Sequence, residues 1–164
     1  MALPLDSSLL FKLVRVVNLT ARPFVETLAR THQISLNEWR AMVVLVSHPG
    51  CAAHEVAEFT GLDKMSVSRA IAALQRHARI RKAADPQDAR RTCLWLNAAG
   101  QNVFRAIGKQ ASMREAQLFQ GFSAADRQLL GASIDRLIGA LHAAATAAAT
   151  ATAPIKPRSK TKQT

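Results

Sequence analysis

The chain has 164 residues, 49% of them hydrophobic, with a formal net charge of +11. That length holds one compact domain or two small fused ones, and the apolar content excludes wholesale disorder. Tyr is absent, Gly is limited to 7 residues, and nothing supplies the alternating strands of a sandwich or barrel, so the chain should be mostly helical, with a polyanion as its partner.

The first helix is expected over about Ser7–Arg30. Leu10, Leu13, Val14, Val17, Phe24, Val25 and Leu28 keep helical spacing, with a bend at Pro23. Ser35-Leu36-Asn37-Glu38 has capping-box spacing and opens a second helix that ends at His48-Pro49-Gly50. A short helix over about Ala52–Phe59 and another over Asp63–His77 follow, separated by Gly61. Ile80–Ala84 and Thr92–Leu96 read as strands joined by the turn-rich run Asp85-Pro86-Gln87-Asp88-Ala89-Arg90, with Leu94 and Leu96 on one face. A long helix is expected from about Asn97 to Gln120, and Ser123-Ala124-Ala125-Asp126 opens a last one to about Ala145. From Thr146 the sequence turns Ala/Thr-rich, then Pro- and Lys-rich, and reads as a mobile basic tail containing Lys156, Arg158, Lys160 and Lys162.

The segment 52–74 carries a helix-turn-helix pattern. Ala57 is small where two helices must cross, and Gly61 suits a left-handed turn. Val56, Leu62, Val67 and Ala70 fall on the side such a unit buries, and Asp63 can cap the second helix. Winding that helix at about 100° per residue puts Val67, Ala70, Ile71 and Leu74 on its back. Met65, Arg69, Ala72 and Arg76 form its front, flanked by Ser66 and Ser68 and preceded by Lys64. An apolar back with a front of Arg, Ser and small residues suits the major groove of double-stranded DNA. Residues 64–91 hold eight basic side chains against Asp85 and Asp88, a net of +6. The basic hairpin tip, with Arg90 and Arg91, can reach the adjacent minor groove, and Asp88 can hold Arg90 or the tip in place.

Three runs, in this order, resemble MarR-family repressors: Leu36-Asn37-Glu38-Trp39-Arg40; then Glu55-Val56-Ala57 with Leu62-Asp63-Lys64-Met65-Ser66-Val67-Ser68-Arg69; then Asp85-Pro86-Gln87-Asp88-Ala89-Arg90-Arg91. Leu96-Asn97-Ala98-Ala99-Gly100 is similar to the family's Leu-Thr-x-x-Gly, so the resemblance spans about Leu36 to Gly100. The chain departs from the family at Ala78, where Gly is common, at Lys82, where Arg is common, and at Ala89, where a further Arg is usual.

The resemblance implies a mostly α fold with a small β-wing: a winged helix-turn-helix domain plus a helical dimerisation region. Its parts are an N-terminal dimerisation helix over 1–34, a DNA-binding domain over 35–97, C-terminal dimerisation helices over 98–145 and the basic tail over 146–164. A homodimer is implied, reading a near-palindromic operator with half-sites about 10 bp apart. Leu129, Leu130, Ile134, Leu137, Ile138 and Leu141 agree, being more apolar surface than a small monomer covers. The implied activity is transcription regulation, by repression as the family default. The rival is a nucleoid-type protein binding nucleic acid without sequence preference.

Arg40 shares a helix face with Leu36, Trp39 and Val43, expected to point inward. Its partner would be a carboxylate such as Glu38 or Glu26, or an acidic ligand. Family members often bind small aromatic acids beside this helix, and Arg15, Arg22 and His32 could line the same crevice with Trp39 and Arg40. His48, Cys51 and His54 stand near metal-ligand spacing, but three ligands around a turn are not specific, and no metal or other cofactor is expected. Cys51 as a redox sensor, or a metal-responsive regulator of the same fold, are the remaining variants. No phosphate-binding Gly-rich loop, nucleophile motif or paired carboxylates suggest an enzyme. Met1–Ser8 lacks the basic start of an export signal, no run approaches about 20 apolar residues, and two cysteines are too few for a disulfide framework. A cytoplasmic, nucleoid-associated protein without a membrane partner is therefore expected.

Overall fold

The computed structural model describes residues 7–23, 26 and 29–151. The chain divides between Met113 and Arg114 into two units. The first contains α1 (Leu9–Pro23), α2 (Ala29–His32), α3 (Leu36–Ser47), α4 (Ala53–Thr60), α5 (Lys64–Arg76), β1 (Ile80–Ala84), β2 (Thr92–Leu96) and most of α6 (Ala98–Leu118). The second contains the end of α6 and the long α7 (Ala124–Ala151). This is the expected class, mostly helix with one small antiparallel sheet.

Local chemistry sets the helix boundaries. Ser35 Oγ accepts from the Glu38 N–H at 3.2 Å while Glu38 Oε1 accepts from the Ser35 N–H, so the capping box forms and α3 starts there. Asn97 Oδ1 accepts from Gly100 N–H at 3.0 Å and opens α6. Ser123 and Asp126 close a second reciprocal box at the start of α7. The strands pair from Ile80 opposite Leu96 to Ala84 opposite Thr92, as expected, and Leu94 and Leu96 are both buried.

The core of the first unit lies between α3, α4, α5, β2 and the start of α6. Met42, Leu45, Val56, Val67, Leu74, Leu94 and Ile107 are fully buried there. Interdigitated burial of this kind is the dominant stabilising term.

The helix expected over Ser7–Arg30 is described as α1 and α2, with Glu26 between them helical and Phe24, Val25 and Leu28 outside the described residues. Two expectations need correction. The last helix runs to Ala151, six residues beyond Ala145, so the segment 146–151 is not tail. Ala is the best helix former, which favours helix through this run, and the Thr146 hydroxyl donates to the His142 carbonyl at 2.9 Å. The basic residues Lys156–Lys162 lie outside the described residues. Finally, α3 does not turn Arg40 and Val43 inward. It buries Glu38, Ala41, Met42, Val44 and Leu45, and Val43 is exposed.

A buried arginine joins these elements. The guanidinium of Arg79 donates to the carbonyls of His32 and Gln33 at 2.5 and 3.0 Å and lies 4.0 Å from Glu38 Oε2. Its own N–H bonds the Leu74 carbonyl at the end of α5, and its carbonyl accepts from Asn97 N–H at the start of α6. Just before it, Ala78 holds a left-handed backbone, φ +49°. This explains why glycine is common at that position in the resembling family: L-residues incur roughly 1–2 kcal/mol of strain there.

Two substitutions at this joint should act in opposite directions. At Gly100 an added Cβ would meet the Arg79 carbonyl oxygen at 2.1 Å, a backbone atom that cannot swing aside. Gly100→Ala should cost about 3 kcal/mol and lower Tm by roughly 6–12 °C. Ala78→Gly should relieve more strain than it adds in chain entropy, raising Tm by about 2 °C. Differential scanning calorimetry checks both, and an unchanged Tm in Gly100→Ala would contradict this packing.

Candidate nucleic-acid interface

The two helices α4 and α5 are joined by the turn expected from the sequence. Gly61 ends α4 with φ +67°, the left-handed geometry that glycine adopts without strain. Asp63 then caps α5: its carboxylate accepts the Ser66 N–H at 2.8 Å and the Ser66 hydroxyl at 2.6 Å. The Ser66 hydroxyl bond, followed by its backbone N–H, holds the Asp63 carboxyl below the ordinary range, so the cap is anionic at neutral pH. A carboxylate here also complements the positive end of the helix dipole.

The two faces of α5 separate as their periodicity requires. Val67, Ala70, Ile71 and Leu74 are buried, and Met65, Ser68, Arg69, Ala72 and Arg76 are exposed, with Met65 at 66%. The side chains of Lys64, Arg69 and Arg76 form no hydrogen bond or ion pair among the described residues, although the Arg69 charge helps to hold the Asp63 carboxyl low, so their donors are open to a ligand. Ser66 is partly committed, its hydroxyl donating to Asp63.

The wing tip is built from its own acids. Asp85 Oδ1 accepts from the Gln87 N–H at 2.9 Å, and Asp88 Oδ1 from the Arg90 N–H at 3.0 Å. Asp88 therefore shapes the tip through the backbone and does not hold the Arg90 guanidinium. That guanidinium is exposed and free among the described residues.

Arg91 differs. It donates to Glu55 on α4 and to Asp85 at the end of β1, both at 2.6 Å, and to Cys93 Sγ at 3.2 Å. Glu55 Oε2 also accepts the Ala52 N–H at 2.6 Å, so one carboxylate closes the start of α4 and anchors the wing. The Glu55 carboxyl is held low, first by that backbone bond and then by Arg91; the Asp85 carboxyl is held low by the Gln87 N–H and then by Arg91. Both carboxylates push the Arg91 pKa further up. Arg91, grouped by sequence with the DNA-facing residues, is thus a brace between wing and helix-turn-helix. Neither Glu55 nor Asp85 was singled out in the sequence. The signal for Glu55 was its place three residues after Ala52, the spacing of an N-terminal capping acid.

The residues expected to line a ligand crevice are spread over α1, α2 and α3. Arg15 and Arg22 lie on α1 beside Phe11, Val14 and Leu19. The His32 carbonyl is engaged by Arg79. Trp39 stacks on Phe104 with centroids 5.1 Å apart, which covers one face of the indole. Arg40 is half-buried and reaches back to Asn37 Oδ1 at 3.4 Å, pairing with neither Glu38 nor Glu26. The carboxylate expected for Arg40 faces Arg79 instead.

His48 stacks on Phe59 at 4.1 Å, and Cys51 is buried, which pushes its thiol pKa up. Among the described residues no group of three or more His, Cys, Asp or Glu could hold a metal ion, and no helix is long and apolar enough to cross a membrane.

Comparison with known proteins agrees with this geometry. The MarR family model matches residues 32–91. No curated protein sequence matches the chain. Among solved structures, a MarR/EmrR family transcriptional regulator from Acinetobacter sp. ADP1 superposes with a TM-score of 0.78 at 24% identity, covering 85% of this chain and 99% of that one. The PcaV transcriptional regulator from Streptomyces coelicolor, solved with its natural ligand, gives 0.71 at 23% identity, covering 86% and 99%. MepR from S. aureus, solved as a DNA complex, gives 0.73 at 16% identity, covering 83% and 98%. The first two of these neighbours are transcriptional regulators. The winged helix-turn-helix segment of this chain is that of the MarR family, and around it the chain carries the fold of MarR-family transcriptional regulators.

Proposed function

We propose that the chain is a DNA-binding transcription regulator that occupies a near-palindromic operator as a homodimer and represses from it. The observation that supports this most is the division of its arginines. Arg69 and Arg76 on the front of α5, and Arg90 at the wing tip, are exposed and unpaired among the described residues, while Arg79 and Arg91 are bound internally. A random basic surface would not sort its charges by position. In this reading α5 enters the major groove and Arg90 the adjacent minor groove, with Lys64, Met65, Ser66 and Ser68 at or near the base edges and phosphates.

The dimer reading rests on unburied apolar helices. On α1, Leu9, Leu10, Phe11, Val14, Val17 and Leu19 are exposed, and on α7 so are Leu129, Leu130, Ile134, Leu137, Ile138 and Leu141. Single exposed apolar side chains are ordinary, but rows of them along two helices need a cover. A second copy would bury them and set two α5 helices about one turn of DNA apart. Release by a small aromatic acid is part of the proposal, supported by the neighbour PcaV having been solved with its natural ligand. A cytoplasmic, nucleoid-associated location follows from the DNA-binding role.

A gel shift on the DNA upstream of the chain's own coding sequence, with competitor DNA, tests the reading. One retained site supports it, and uniform loss to competitor favours the rival nucleoid-type protein. Three variants then resolve the arginines. Arg69→Ala should weaken operator binding sharply, with Tm and dimerisation nearly unchanged; intact affinity would remove α5 from the groove. Arg90→Ala should lower affinity and reduce the salt slope by about one phosphate equivalent per half-site. Arg91→Ala should lower Tm along with affinity, because it leaves Glu55 and Asp85 facing each other without their cation. Equal behaviour of the Arg90 and Arg91 variants in a melting experiment would contradict the brace.

A further inference from the structure

We propose that Met65 reads the 5-methyl group of a thymine in each half-site, so that base recognition by α5 combines this apolar contact with the Arg69 contact one turn later. The proposal rests on the reading of α5 as the major-groove helix and adds which base its first turn selects.

Met65 is the second residue of α5, and its side chain stands in water. At about 100° per residue, Met65, Arg69, Ala72 and Arg76 fall within a sector of about 60°. That sector is opposite the buried Val67, Ala70, Ile71 and Leu74. A large apolar side chain is thus held on the face that carries the free cations, where it adds nothing to the core. Residues of the first turn of a recognition helix are the ones that reach base edges.

The surroundings of Met65 select its occupant. The side chains of Lys64, Arg69 and Arg76 have no hydrogen-bond or ion-pair partner among the described residues. Asp63, the acid nearest in sequence, is committed to the Ser66 N–H and hydroxyl. A methionine among free cations suits a polyanion that also offers an apolar group, and not an apolar protein face. In the major groove that group is the thymine methyl, because the other groups that distinguish the bases there are hydrogen-bond donors and acceptors. Against one of those, the thioether chain would displace water without replacing its hydrogen bond. Its unbranched, flexible chain can follow the methyl group as the helix settles.

The rest of the face complements this contact. Ser66 spends its hydroxyl on the cap, which leaves Ser68 and Arg69 as the side-chain donors that follow. Arg69 matches guanine O6 and N7 bidentately. It lies four residues beyond Met65, about 6 Å along the axis, and with α5 along the groove that rise spans about two base steps of ~3.4 Å. Each half-site should therefore hold a thymine within about two base pairs of a guanine.

Selection by the full-length protein from a pool of random-sequence duplexes gives the site, and uracil substitution then tests the proposal. Deoxyuridine in place of a thymidine removes the methyl group and keeps the pairing. One thymine per half-site should be sensitive, with affinity falling about fourfold for one replacement and about sixteenfold for both. Met65→Gln, similar in length but polar, should bind the thymine site more weakly and make no distinction between thymine and uracil. Met65→Leu should keep the distinction. Tm of both variants should match that of the parent chain, because the position is exposed. A selected site at which no thymine methyl matters would overturn the proposal and leave the DNA-binding reading intact. So would a Met65→Gln variant as sensitive to uracil as the parent. A pool that yields no preferred sequence would overturn that reading and this proposal with it.

Discussion

The first unit is organised around one buried guanidinium. Arg79 is 8% exposed, and each of its polar groups meets a different element: the loop before α3, the end of α5 and the start of α6. A charge at that depth is tolerable only with such partners. Glu38 supplies the countercharge while its other oxygen closes the cap of α3. Glu38 Oε2 makes no hydrogen bond of its own, so Arg79 is what offsets its burial. The close approach of Gly100 to the Arg79 carbonyl follows from the same knot. The helix α5, the wing and α6 are therefore registered to one another through backbone groups.

From that joint outward, basic residues fall into two kinds. Arg79 and Arg91 spend their donors on carbonyls and carboxylates, giving position. Arg69, Arg76 and Arg90 keep theirs free, giving attraction. The distinction matters because non-specific attraction scales with the number of free cations, whereas specificity needs them held at fixed spacing. Without the Glu55–Arg91–Asp85 link, the wing tip would be tied to α4 by the sheet alone. The carboxyls of Glu55 and Asp85 titrate below their ordinary range, so the link persists at neutral and weakly acidic pH and is lost only as pH falls through those lowered values.

The sequence made local features legible. Caps at Ser35, Asp63 and Ser123, the left-handed turn at Gly61, the two faces of α5 and the limits of both strands follow from short-range rules, and the structure repeats them. What it did not show was which charges meet across long separations. Arg79 pairs 46 and 47 residues away and Arg91 reaches 36 residues to Glu55, distances over which periodicity carries no information. Arg40 misled for a related reason: helical phase placed it near the inward stripe, but α3 is rotated so that Glu38 takes the buried position. The end of α7 was misjudged because an Ala/Thr run is compatible with both helix and tail, and composition alone does not choose.

The central claim is that two copies of α5, with their wings, read DNA at fixed spacing. Hydroxyl-radical footprinting of the full-length protein on the DNA upstream of its own coding sequence tests it most directly. Two protected patches should appear with centres about 10 bp apart, each flanked by a minor-groove protection from the wing. Protection that spreads evenly along the fragment, with no preferred position, would contradict it.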